Sequence, residues 1–244
     1  MKAQAKVPRV GRRRDAALRR TPAIGRIART VHATTTSSTV SEMPAKLKTR
    51  KGAEADLERI KNEDIADCVD EDELRVVEGP ATIEGSYDPS GKTVLVLGDL
   101  TVNGNVNVEE TATLVVTGTL RCKNLYLEGN LEVQGATEVA ETIFGYYEGG
   151  VSDLRGAVTT KLLLVGNHDL VVKKSKLTAE HRFEFDNFQK PKPKKLSEAA
   201  VREVLSDDAF RHLSDLLGFT EEKSPDVAKA QRLFSRQGFL RVTG

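Results

Sequence analysis

The sequence predicts a mainly β protein built around a short parallel β-helix, a solenoid, with a basic N-terminal arm and an α-helical C-terminal region. Three observations predict it: apolar residues alternate in short runs, glycines recur at a near-constant interval, and composition changes sharply on both flanks. Within 94–108, Leu100, Val102, Val106 and Val108 share one phase. Period-two alternation marks strands with one buried face. The runs are broken by Gly or Asn, residues that tolerate φ > 0 at a corner. Gly98, Gly118, Gly135 and Gly156 are separated by 20, 17 and 21 residues. Their surroundings match: Leu-Val-Leu-Gly-Asp-Leu-Thr-Val at 95–102, Leu-Val-Val-Thr-Gly-Thr-Leu-Arg-Cys at 114–122, and Leu-Glu-Val-Gln-Gly-Ala-Thr-Glu-Val at 131–139. A last recognisable coil covers 154–162. A repeat of about 20 residues is a solenoid signature, because each coil buries its apolar face only against its neighbours.

Competing β and repeat architectures fit less well. The Leu-x-x-Leu-x-Leu framework of a leucine-rich repeat is missing. An acyltransferase-type left-handed helix needs unbroken six-residue repeats, and only the glycine pairs 98/104 and 129/135 show that spacing. Asn103-Gly104 is a lone hairpin signal, so a meander is a minor alternative.

The flanks divide the chain further. Residues 1–50 carry 13 Lys/Arg and two acids, Asp15 and Glu42, a net +11, while the remaining 194 residues carry 24 bases and 34 acids, a net −10. Residues 1–50 therefore read as a basic flexible arm for an anionic partner, which includes an acidic copy of the chain itself. They contain no apolar segment of a secretory signal; their Arg-rich, acid-poor text also resembles an organellar transit peptide. Residues 51–73 form a charged helix or linker with a weak stripe at Leu57, Ile60 and Ile65. The β-helix domain is assigned to 74–189, with 143–150 read as an insert that interrupts the coil rhythm. Residues 190–195, Lys-Pro-Lys-Pro-Lys-Lys, form a stiff linker. Residues 196–244 form the helical region: Ser197 caps 198–205, Ser206 caps 207–217 with Gly218 following, and Ser224-Pro225 opens a helix that stops at Gly238. These helices are expected to fold over the coil before them and cap one end. Two distant cysteines, Cys68 and Cys122, give no disulfide framework or metal spacing and imply a reducing, cytoplasmic setting. No apolar run approaches the length of about 18–20 residues that spans a bilayer.

The central stretch resembles the bactofilin family of polymer-forming β-helical proteins, most plainly at 95–104 and more loosely over 114–139. The resemblance implies a right-handed β-helix without a cofactor that self-assembles through its ends. The helical C-terminal region and the segment 143–150 depart from the family pattern.

Candidate chemistry is sparse. Gly166-Asn167-His168-Asp169 follows the apolar run 162–165, as in calcineurin-like metallophosphoesterases, where Asn binds metal and His works beside the leaving group. Leu97-Gly98-Asp99 imitates a second element of that site. No Asp-x-His precedes it and no Gly-x-His-x-His follows, so a two-metal site lacks ligands. The quartet reads instead as a β-helix corner. A polysaccharide-acting β-helix needs clustered carboxylates, whereas Asp99, Glu128, Glu132 and Glu138 read as scattered, solvated positions. Cys122 shares the inward phase of Leu120. Cys68 sits between Asp67 and Asp70, surroundings that disfavour a thiolate. Phe144, Tyr146 and Tyr147 read as a lid on the core or a contact patch, and Phe183, Phe185 and Phe188 as an edge strand. No catalytic, cofactor-binding or metal residue is assigned. The expected function is a non-enzymatic scaffold that self-assembles, as a homo-oligomer or filament, or docks partner proteins, with no cofactor and no small-molecule substrate. The rivals are a metallophosphoesterase-like or polysaccharide-acting enzyme, and an adaptor that uses the basic arm.

Overall fold

The computed structural model describes residues 47–146, 149–185, 196–214, 216–219 and 227–241. The arm up to residue 46, Tyr147, Phe188, the 190–195 linker and Ser224-Pro225 lie outside them.

Residues 47–50, assigned to the arm, belong to the body: Leu47 packs on the core and β1 (Arg50–Lys51) pairs antiparallel with the next strand. Two short helices follow, α1 (Glu54–Leu57) and α2 (Glu63–Asp67). The solenoid then winds through six coils. They are β2 (Arg75–Val77) with β3 (Ala81–Ile83); β4 (Thr93–Val96) with β5 (Leu100–Val102) and β6 (Asn105–Val108); β7 (Thr113–Val116) with β8 (Leu120–Leu127); β9 (Asn130–Val133) with β10 (Thr137–Tyr146); β11 (Val151–Leu154) with β12 (Val158–Gly166); and β13 (Asp169–Val172) with β14 (Leu177–Phe185). A single turn of 3-10 helix, Lys174–Lys176, joins the last two strands. Three helices close the chain: α3 (Glu198–Val204), α4 (Asp207–Leu213) and α5 (Val227–Gln237). Among the described residues no helix is long and apolar enough to cross a membrane.

Every pairing within the coils is parallel. One sheet runs β1-β2-β4-β7-β9-β11-β13 and the other β14-β12-β10-β8-β5-β3, with β6 also on β8. The register aligns like with like. Val77, Val96, Val116, Val133, Leu154 and Val172 form one stack, and Leu100 and Leu120 lie in another. These stacks are the single interior core, in which Leu100, Val102, Leu120, Leu131 and Val133 are all buried. The glycine intervals are the coil lengths themselves. A Cβ on Gly135 would lie 2.5 Å from the backbone of Gly118, so the corner closes only without side chains.

β8 turns a corner at Lys123–Asn124, where two successive side chains leave the core. Its first half continues β5 and its second half continues β6. The solenoid therefore has three lateral faces. Residues 143–146 are no insert: Ile143–Gly145 pair in register on both sides and Tyr146 pairs with Gly166, and the irregularity is a bulge between Glu138 and Thr142. The strand alternation at Phe183 and Phe185 does extend the sheet, as β14 on β12.

The terminal helices lie against the sides of the solenoid. α1 and α2 cover the outer face of the first sheet, where Ile60 and Ile65 meet Val76, Leu95 and Val115. α3–α5 do not cap an end as expected. They cover the face formed by β6 and the second halves of β8, β10, β12 and β14. There the outward row Tyr126, Phe144, Leu164 and Phe183 packs beneath Val201, Phe210, Phe234 and Phe239. The outward row is aromatic, so it is buried by helices rather than left to water. Ser197 and Ser206 cap α3 and α4, and Gly238 stops α5 at φ 73°, as the sequence predicts. The orphan carbonyl of Ser235 near the end of α5 accepts from Asn105 Nδ2 at 2.8 Å.

Candidate functional site

The most chemically suggestive segment, Gly166-Asn167-His168-Asp169, turns the chain from β12 into β13 at one mouth of the solenoid. Asn167 takes φ 52°, a left-handed value that Asn tolerates best after Gly. His168 points into the solenoid, 7% exposed, with Nε2 2.8 Å from Ser152 Oγ. Its ring lies over Gly145. Ser152 is fully buried and in register with Leu131 and Leu170, so it stands where the neighbouring coils place leucine. The pair is a hydrogen-bonded polar insertion in the core. Ser152 is not among the residues that line the cavity at the mouth, whereas His168 is.

The mouth encloses a cavity of about 560 Å³. Its floor is Val165, Leu170, Val172 and Leu177, and its rim carries Asn167, Asp169, Lys174, Arg182 and Glu184. Asp99 is not among its lining residues. It lies several coils away, before β5, and accepts from the Thr119 amide (2.8 Å) and Arg121 (3.2 Å). Those bonds, the Thr119 amide first, hold its carboxyl below the usual range. The two halves of the imitated phosphoesterase motif are therefore not brought together. Among the described residues no group of three or more His, Cys, Asp or Glu is placed to hold a metal ion.

The other carboxylates divide. Glu138 is solvated and paired with Arg121 at 2.9 Å. Glu128 is only half-buried, and burial raises its carboxyl above the ordinary value. Glu132 overturns the solvated reading: it is fully buried beneath the N-terminal helices. Its carboxylate accepts from the backbone amides of Lys61 (2.9 Å) and Asn62 (2.8 Å), and from Gln134 Nε2 (2.8 Å). Asn62 caps α2 and also donates to Asp153 at 3.2 Å. Glu132 thus anchors the entry to α2 on the solenoid. Its row reads Val76, Leu95, Val115, Glu132, Asp153. The switch from apolar to acidic along a buried outward row is the signal that sequence reading missed.

Cys122 is buried in the interior, and burial pushes its thiol up to about 12, whereas Cys68 is exposed. Phe144 is no lid on the interior core: it faces outward and packs on Phe239 at a ring distance of 5.1 Å.

The third lateral face bears β3, β5 and the first halves of β8, β10, β12 and β14. No described helix covers it. Its outward residues in register are Thr82, Thr101, Arg121, Glu138, Thr159 and Thr178. A shallow groove of about 580 Å³ crosses it beside Lys123 and Glu141, which pair at 3.7 Å.

Comparison with family models, with curated proteins and with solved structures returned no match for this chain.

Proposed function

We propose that this chain is a non-enzymatic structural scaffold, bactofilin-like in its coil text, that associates with a second copy of itself through the lateral face that no described helix covers. The observation that supports it is the division of the solenoid's surface. Two faces are occupied by the chain's own helices, and the third holds one regular polar row about 24 Å long at the spacing of about 4.8 Å per strand. That row is self-complementary. A two-fold axis along the strand direction sets Arg121 against Glu138 of the other copy, Thr101 against Thr159 and Thr82 against Thr178. Isologous pairing of this kind is the commonest symmetry of homo-oligomers. The Leu-Val-Leu-Gly-Asp-Leu-Thr-Val text and the reducing setting implied by unpaired cysteines fit a cytoplasmic scaffold.

Light scattering over a wide concentration range tests the proposal. The expected mass rises above the single-chain 26.7 kDa. Thr101→Arg with Thr159→Arg, which sets like charges opposite one another, returns it to one chain. A protein that stays a single chain at every concentration, or a variant that associates like the parent, overturns the reading. A phosphodiester-hydrolysis assay with added Mn²⁺ separates the enzymatic alternative, since metal-dependent turnover lost in His168→Ala would favour it.

A further inference from the structure

Two apolar stacks inside the solenoid end in charge at one mouth. Val106, Leu125, Ile143 and Leu163 stand in one line, and the next residue in register is Arg182. Beside it, Leu127, Gly145 and Val165 lead to Glu184. The preceding leucines, valine and isoleucine of the first line are buried in the interior core. Arg182 and Glu184 thus occupy core positions of the last coil, while the alternating Phe183 and Phe185 face the helices. Arg182 Nε donates to Glu184 at 2.6 Å, and both line the cavity at the mouth. Lys174 and Arg182 there balance Asp169 and Glu184, so the rim makes no net demand for an ionic ligand.

The opposite mouth is closed differently, because Arg75 lies on β2, inside the edge strand β1. Arg75 is in register with Val94, Leu114 and Leu131, and its guanidinium donates to the carbonyls of Asp72 and Leu74. β1 lies antiparallel on β2, so the direction of the strands reverses at that edge. Inward-directed charge on a terminal strand such as β14 opposes further strand addition, because a stacked coil would bury it away from water.

We propose that Arg182 and Glu184 are gatekeepers that end the solenoid at one mouth, as the antiparallel β1 does at the other, and bar a second copy from stacking on its ends. Self-association of the scaffold then runs through the lateral face alone. This deepens the scaffold reading and rests on it for that last step, but the gatekeeping itself is tested independently. The full chain carrying Arg182→Leu and Glu184→Val, the residues of the preceding coil, is compared with the parent by light scattering at matched concentrations. The unblocked mouth is expected to at least double the parent's mass. Arg182→Ala with Glu184→Ala removes the charge with less apolar surface and stands in if the first pair misfolds by circular dichroism. Lys92→Leu with Thr111→Leu, on exposed turns, controls for general stickiness and is expected to leave the mass unchanged. Parent-like mass in the mouth variants, or an equal rise in the control, overturns the proposal. A single-chain parent would instead count against the scaffold reading and leave the comparison of mouths intact.

Discussion

Glu128 shows how one side chain sets a pH dependence. Burial disfavours its ionised form, and the nearby Glu109 and Glu110 add repulsion. The folded protein therefore holds this proton to higher pH than the unfolded chain does. Stability from this group is fully present in acid and declines as pH rises through the carboxylate range. Glu128→Gln removes the titration, so it is expected to melt higher than the parent at about pH 7, with the gap closing below about pH 4. Thermal melts of both proteins across that range check it, and a gap independent of pH would refute it. Glu132 is more buried, and three donors surround its carboxylate.

At the scale of the element, the corner glycines fix how closely the coils stack. Each replaces a side chain with the backbone of the neighbouring coil, as Gly135 does against Gly118. Gly135→Ala forces that corner open, and overpacking of this kind costs about 3 kcal/mol. Chemical denaturation should show the loss as a lower midpoint with an unchanged slope. A midpoint within error of the parent would mean that the corner relaxes freely. This part of the fold is legible in the text, since strand phase and glycine interval are both local consequences of the repeat. The bulge in β10 is less so, because one extra residue between Glu138 and Thr142 looks like an insert until pairing on both sides is known.

At the largest scale the described residues form a solenoid with two satellite cores, one beneath α1–α2 and one beneath α3–α5. The second is dominated by aromatic contacts, with Phe234 and Phe239 only 4.9 Å apart and both against Phe144. Phe239→Asp places a charge in that layer and is expected to release the helices while the solenoid persists. A dye that binds exposed apolar surface should then brighten, since a patch of several hundred Å² is uncovered, while the strand signature in circular dichroism stays. Loss of both signals together would show that helices and solenoid unfold as one unit.

What the sequence by itself determined is the interior. Alternation follows from the geometry of the extended chain, and a repeated coil must stack like on like, so Leu100, Val102, Leu120 and Val133 could be placed inside without coordinates. What only the tertiary structure decided is the meaning of outside. Glu132 and Phe144 both point away from the solenoid axis, yet both are fully buried, because helices from distant parts of the chain lie over them. Arg182 and Glu184 point the other way, into core positions, yet remain exposed, and no coil follows β14 among the described residues. Phase along a strand is a local property of the backbone. Cover is a property of whatever the rest of the chain brings to that face, and no local pattern encodes it.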